Sequence, residues 1–419
     1  MIIHPPNLLR DDNSIIIWSK IELKTPVEGF PEFLWYKLPL EYEEFVSLQS
    51  DAFLVASLAI AMHFGENIKV CGSISPGLAY NLEEYMFNMH YHFPGEFHDI
   101  QIQYEKIQNL ALSPLANGMA FSSGVDSLFT LMKHSFAKIK TSENKITHAI
   151  FIKGYDLLNK ESLKYNNLLL LYQGMLEEFD IKLIPIETNQ VHFILPWLEY
   201  KRFNSPVLVS CAMVLGKLFR RFIISNSMDY HQIENNKIIS PPLCDRLLST
   251  ESLDIVHYGA HYKRAEKIEA IQDWKIAQEY LRVCSTPFRA AHENNCSRCE
   301  KCLRTMLPIY ALGKSEQFTT FEKPIRSNKE LLWWGRKFWP TNAFVPETFK
   351  IARENRPEML PWMTLASTIG SLRFWMIKII PDFVKRKLNE FGYFQDKLRE
   401  ENSFENPEII KLKNTNINN

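Results

Sequence analysis

Hydrophobic and polar positions alternate in three different ways along this chain, and each change of pattern marks a different kind of unit. In residues 1–112, short apolar runs at 14–18, 68–71 and 98–104 have the length and punctuation of strands. Two longer runs repeat their apolar residues on a helical period. One spans 41–64; the other spans 76–90 and follows Ser75, a residue suited to opening a helix. An N-terminal α+β domain is therefore expected over 1–112. Trp35, Tyr36, Phe87 and Tyr91 fall at positions of buried type and are expected in its core.

From residue 113 strand-like and helix-like runs take turns. Strands are predicted at 118–121, 148–152, 182–186 and 222–225, with helices at 127–136, 162–179 and 206–219 between them. Such alternation predicts an α/β fold: a doubly wound parallel sheet with helices on both faces, covering 113–314. Ligands of such sheets sit beyond the carboxyl ends of the strands, which directs attention to the loops after residues 121, 152, 186 and 224. Past 314 the alternation stops. Residues 315–419 read as a helical C-terminal extension, with runs at 347–354 and 382–400 and tryptophans at 333, 334, 339, 362 and 375.

Composition narrows the classes of partner. The 419 residues carry 48 Lys+Arg and 48 Asp+Glu, a formal net charge of zero, so nothing in the overall charge favours nucleic acid as the main partner. A local basic groove stays open. The apolar runs at 52–64 and 206–219 fall short of the roughly 18–20 residues a membrane span needs, so no membrane partner is expected. Arg10, Asp11 and Asp12 stand where a secretory leader would be apolar, which leads us to expect a cytoplasmic protein. Four of the seven cysteines crowd between 284 and 302, a pattern expected of metal binding in a reducing compartment.

Two segments carry candidate chemistry. The first is Phe121-Ser122-Ser123-Gly124-Val125-Asp126-Ser127, at the junction of the first predicted parallel strand and its helix. Small residues there let backbone N–H groups approach an anion, and the helix start adds partial positive charge. Asp126 would repel a phosphate unless it held Mg²⁺ or capped the helix, so it implies a metal–nucleotide complex. A plain helix start, capped by a serine, accounts for the same residues without a ligand. No Gly-Xaa4-Gly-Lys-Ser/Thr run is present, which disfavours a Walker-type kinase or GTPase.

The segment resembles the Ser-Gly-Gly-Xaa-Asp-Ser signature of PP-loop ATP pyrophosphatases. Ser122, Gly124, Asp126 and Ser127 match it, while Ser123 stands at the usual first glycine, where a positive φ would strain a serine. The resemblance implies a site for the pyrophosphate of ATP built from Ser122, Ser123, Gly124, Val125, Asp126 and Ser127, with Asp126 and Ser127 at the catalytic centre.

The second segment is Cys284 followed, after eleven residues, by Cys296-Ser-Arg-Cys299-Glu-Lys-Cys302. Two Cys-Xaa2-Cys steps and an upstream fourth thiolate can close a tetrahedron around one ion, the arrangement of structural zinc. Arg298, Lys301 and Arg304 would offset the negative charge of the thiolates. An iron–sulfur cluster also takes four thiolates, and a redox pair uses the Cys-Xaa2-Cys spacing, so both remain open. His292 lies inside the loop. Cys71, Cys211 and Cys244 lack partners at metal spacing and read as buried thiols.

Taken together, the two segments resemble the 7-cyano-7-deazaguanine synthases of the queuosine pathway over about 113–313. That resemblance implies zinc on Cys284, Cys296, Cys299 and Cys302. It also implies an ATP-dependent ligase that adenylates a carboxylate or amide oxygen, releases pyrophosphate, transfers nitrogen and releases AMP. The extensions on both sides point to a different acceptor, a small molecule, peptide or protein, as in anti-phage or natural-product relatives. A tRNA-modifying thiolase of the same superfamily and a nucleotide-binding subunit without turnover are the alternatives. Oligomerisation is compatible with all three.

Further positions follow from the strand ends: Gly154, Tyr155 and Asp156, which the resemblance places near the adenine and ribose, Thr188 and Asn189, and Ser225, Asn226 and Ser227. Each of these could equally be a turn satisfying its own backbone. His257, His261, Arg264 and Lys267 precede or open the helix leading to the cysteines. Arg264 and Lys267 are the candidates to reach phosphates, with a solvated helix face as the more frequent outcome for such residues. No general base is assigned.

Overall fold

A computed structural model describes residues 1–136, 144–155, 162–198, 204–230, 244–284, 294–334 and 344–379. The expected helix at 382–400, Asp156, His292 and Trp339 lie outside the described residues.

In chain order the first stretch forms β1 (Ile2–Ile3), β2 (Asn7–Arg10), β3 (Ser14–Glu22), β4 (Phe33–Pro39), α1 (Asp51–Phe64), β5 (Ile68–Ile74), α2 (Pro76–His92) and β6 (Ile102–Ile107). The single helix expected at 41–64 is in fact two pieces, a 3-10 turn at Leu40–Phe45 and α1. Helix α1 is apolar nearly all round, so it is buried nearly all round, and it ends at Gly65, whose φ of 66° suits a residue without a Cβ. Strand β3 shows the two-residue alternation of a strand covered on both faces: Ile15 and Ile17 join the main core, while Ile16 packs with Trp35 on the other side.

The second stretch forms β7 (Ala116–Ala120), α3 (Val125–Phe136), β8 (His148–Lys153), α4 (Ser162–Glu177), β9 (Lys182–Thr188), α5 (Gln190–Ile194), α6 (Asn204–Val214), β10 (Phe219–Ser225), β11 (Asp254–Tyr258), α7 (Arg264–Ile271), α8 (Lys275–Tyr280) and α9 (Glu300–Ala311). Helix α6 stops at Val214, short of the expected 219, because Phe219 already opens β10. The last described part is helical: α10 (Leu331–Trp334), α11 (Phe344–Asn355) and α12 (Leu360–Ile379).

Among the described residues, all eleven strands join one sheet in the order β11-β10-β7-β8-β9-β4-β3-β1-β5-β6, with β2 paired to β3. Strands β7 to β11 run parallel to one another. The sheet as a whole is mixed, because β4 meets β9 antiparallel and β3 pairs antiparallel with β1, β2 and β4. The strands of 113–314 are thus parallel as expected, and the antiparallel pairings come from the N-terminal strands, which continue the same sheet. A parallel ladder ends where its next neighbour needs no crossover, and β9 takes β4 from the N-terminal stretch instead of another βα unit. The seam is short, Tyr36 opposite Thr188 and Lys37 opposite Glu187, and side chains extend it. The Asn189 Oδ1 accepts from the Trp35 N–H at 3.0 Å, and the Asn189 amide donates to the Phe33 carbonyl at 2.8 Å.

Two cores lie on the two faces. Along β8, Ile150 and Ile152 point into the core that contains α1 and α6, while Ala149 and Phe151 point into the core beneath α3, α4, α7 and α9. Helices thus cover both faces, as doubly wound packing requires. Trp35 and Tyr36 are buried as expected. Phe87 and Tyr91 are not: they are 61% and 69% exposed and stack on each other along the outer face of α2. Their helical spacing was real, but it marks the face turned away from the sheet.

Candidate anion pocket and metal centre

Strand β8 lies on one side of β7 and β10 on the other, so the direction of winding reverses beside β7. Crevices open beyond the carboxyl ends of strands at such reversal points. A cavity of about 370 Å³ is found there, lined by the end of β7 and the start of α3, by Ile150 to Ile152 of β8, by Ile224 to Met228 after β10, and by His257 of β11.

The loop from Ser122 to Ser127 forms its floor. The Gly124 N–H donates to the Ser122 Oγ at 3.3 Å, and the Ser127 hydroxyl donates to the Gly124 carbonyl at 3.1 Å. The first N–H groups of α3 have no intrahelical acceptor, as in any helix start. Ser123 has a φ of 55°, the left-handed conformation in which a glycine would be unstrained. Its side chain is absent from the cavity lining and turned away from it: the hydroxyl donates to the Tyr280 carbonyl at 2.5 Å, and the Arg282 N–H donates to the Ser123 carbonyl at 2.8 Å. Serine here is tied to the chain entering the cysteine segment and leaves the loop unobstructed.

Asp126 meets two cations. Its carboxylate accepts from Arg264 Nη1 at 2.9 Å and from Lys267 Nζ at 3.0 Å, both borne by α7. Burial pushes this carboxyl up, but Lys267 and Arg264 outweigh it and hold it below its ordinary value. Both carboxylate oxygens are engaged, so Asp126 serves here as the anchor of two buried cations. Lys267, 1% exposed, also donates to the Asn226 carbonyl. The start of α7 is itself held from the C-terminal stretch, where Glu347 of α11 accepts from the Ala265 N–H at 3.0 Å.

Arg264, Arg282, Lys301 and Arg304 all line the cavity, and Asp126 is the one carboxylate among the described lining residues. Net neutrality of the chain conceals a concentration of cations at this pocket. Arg304 is held down to about 10 by its burial and by Arg264 beside it. The lining also includes the less polar group Ile152, Tyr155, Asn204 and Leu208, with the Tyr155 hydroxyl donating to Asn204.

The four cysteine sulfurs all lie within 4.8 Å of one another. Cys296 and Cys302 are separated by 3.9 Å, and Cys284 and Cys299 by 4.0 Å. A tetrahedron with metal–sulfur bonds of ~2.3 Å has sulfurs ~3.8 Å apart, so the donor set fits zinc in size and chemistry. Backbone N–H groups of Cys299 and Cys302 donate to the sulfurs of Cys296 and Cys299, each at 3.4 Å, and Cys299 stands at the start of α9. Both features favour thiolate. Crowding acts the other way: contact with Cys284 raises Cys299 to about 11 and puts Cys302 far above its usual range, which a cation reverses. Asn295, fully buried, ties the arms together. Its Oδ1 accepts from the Val283 and Cys284 N–H groups, and its amide donates to the Leu281 carbonyl and the Thr320 hydroxyl.

Of the weaker sequence candidates, Tyr155, Ser225, Asn226, Ser227 and His257 do line the cavity. Thr188 and Asn189 instead belong to the β4–β9 seam, and His261 is exposed. Cys71 is half-buried, whereas Cys211 and Cys244 are buried. The His257 Nε2 contacts the fully buried Asp245 and, at 3.4 Å, the Ser205 hydroxyl. Because both partners share one ring nitrogen, this trio lacks the two-sided relay of a hydrolase triad. Sequence reasoning missed Arg282, Asn295, Asp245 and Glu347. It assigned Lys301 and Arg304 only to balancing the thiolates.

The chain matches no protein-family model, no curated protein and no solved structure.

Proposed function

We propose that this protein is an ATP-dependent, AMP- and pyrophosphate-forming enzyme of the PP-loop kind, with zinc on Cys284, Cys296, Cys299 and Cys302. The observation that carries the reading is the juxtaposition in one cavity of the Ser122–Ser127 loop, at a strand-to-helix turn beside the winding reversal, with Arg264, Arg282, Lys301 and Arg304. In this reading the loop N–H groups and these cations hold the β- and γ-phosphates, and the face of Ile152, Tyr155, Asn204 and Leu208 takes the nucleoside. An acceptor oxygen attacks the α-phosphorus. The bond to the β-phosphate oxygen breaks and pyrophosphate leaves, its growing charge met by fixed cations. A nitrogen nucleophile then displaces AMP, as in the 7-cyano-7-deazaguanine synthases. Mg²⁺, where present, neutralises and orients the triphosphate. Positioning accounts for most of the expected rate, since the described lining residues include no group placed as a covalent nucleophile.

The orientation of Ser123 bears on the alternative without turnover. A serine pointing into the loop would favour simple occupancy; this one is turned out of it. The test is calorimetric binding of MgATP to the full chain, followed by product analysis with candidate acceptors. We expect ATP to bind, with roughly tenfold weaker affinity in Arg304→Gln, in line with loss of one charge-assisted contact. Failure of ATP to bind, or release of ADP in place of AMP and pyrophosphate, sinks the reading.

A further inference from the structure

The metal knot and the phosphate loop are not separate devices. Among the described residues, every cavity cation apart from Arg264 stands within two residues of a cysteine of the knot: Arg282 before Cys284, Lys301 between Cys299 and Cys302, and Arg304 after Cys302. Cys284 and Val283 line the cavity themselves. Ser123 then binds the loop to this same segment through Tyr280 and Arg282. The chain adopts a left-handed serine to make those bonds, although the loop's own geometry suits a glycine.

We propose that the four-cysteine site and the polyphosphate site are thermodynamically coupled, with metal on the cysteines setting the positions of Arg282, Lys301 and Arg304, and Ser123 acting as the positioning residue that transmits the coupling. The inference rests on the reading of the cavity as a polyphosphate site. Coupling of this kind is reciprocal: if metal strengthens polyphosphate binding, polyphosphate must strengthen metal binding by the same factor. A zinc site that is only a brace has no such property. Its ion would leave at the same rate whether the cavity is full or empty.

The experiment uses the metal-loaded full chain and inorganic pyrophosphate. Pyrophosphate binding is first measured by calorimetry; zinc release into excess chromogenic chelator is then timed with and without saturating pyrophosphate. Release should slow roughly tenfold, because a coupling of about 5–150-fold in affinity, usual for linked sites, is expressed mostly in the off-rate. Free pyrophosphate is itself a weak zinc ligand and would speed release, so slowing cannot come from that source. Arg304→Gln should lose most of the slowing when its zinc release at saturating pyrophosphate is compared with its own release without pyrophosphate. Ser123→Gly should bind pyrophosphate and slow release less than wild type. Pyrophosphate that binds but leaves the release rate unchanged or faster overturns the coupling alone. Pyrophosphate that fails to bind the loaded protein overturns the polyphosphate reading and the coupling with it.

Discussion

The half of the sheet built from β1 to β6 and the half built from β7 to β11 bury very different things. The first closes on α1 with an interior of Ile, Leu, Val, Ala and Phe, and its buried carboxylates have quiet partners: Glu66 sits against the N-terminal amine, and Asp51 accepts from the Ser75 N–H. The second buries Asp126 with Lys267 and Arg264, sets Arg304 beside them, and places Asp245 against His257. Buried charge costs several kcal/mol per ion unless it is matched, so a fold tolerates it where something else is gained. Here it is concentrated at one cavity. The N-terminal half extends the sheet over an apolar core, and the other half holds the charged cavity.

The sharpest way to break this contrast is at the cysteines. Withdrawal of metal, or Cys302→Ser, should remove on the order of 10 kcal/mol of local folding from the knot and expose backbone around Val283 and Leu303 to hydrogen exchange. Protection in α1 should stay intact. Uniform loss of protection would show that the two halves are one cooperative unit.

Asp126→Ala comes next. It leaves Lys267 buried without its carboxylate, so we expect destabilisation of about 3–5 kcal/mol by denaturant unfolding. Adding Lys267→Met should recover much of that loss. The single variant is therefore a poor probe of catalysis unless stability is measured beside it.

In the N-terminal half the effect of charge is smaller and its pH dependence has a definite sign. Burial raises the Asp51 carboxyl from 3.8 to about 7. Between these values the unfolded chain ionises while the folded one stays protonated, so folding takes up a proton and stability falls as pH rises, levelling off above about 7. Asp51→Asn does not titrate and keeps an acceptor for Ser75. It should gain on wild type across that window, on the order of 1–3 kcal/mol, in thermal unfolding at a series of pH values. A constant difference from pH 4 to 8 would count against the raised carboxyl. Smallest of all, Phe87→Ser on the outer face of α2 should change stability by no more than about 0.5 kcal/mol.

Much of the second half was legible in advance because local rules dominate there. Strands β7 to β10 and helices α3 and α4 lie close to where the alternation put them, since a strand covered on both faces reads as a short apolar run and a βα turn carries small residues. Strand β11 escaped, being short and holding Asp254 and His257 in a run with little alternation. Strand β4 escaped because Trp35, Tyr36 and Lys37 carry no clear two-residue pattern, two of them being buried on opposite faces. The four cysteines were found by spacing alone, because a tetrahedral ion constrains ligands that are neighbours in the chain.

By itself, then, the sequence determined which segments could be strands, helices, an anion loop and a metal knot, because each depends on residues within a turn or two of one another. Only the tertiary structure decided that β4 closes against β9, that Arg264 and Lys267 share Asp126 across about 140 positions of chain, and that Arg282, Lys301 and Arg304 face the loop. Those are choices among long-range pairings of buried charges. Their energies depend on distance and on exclusion of water, and neither quantity exists until the chain has folded.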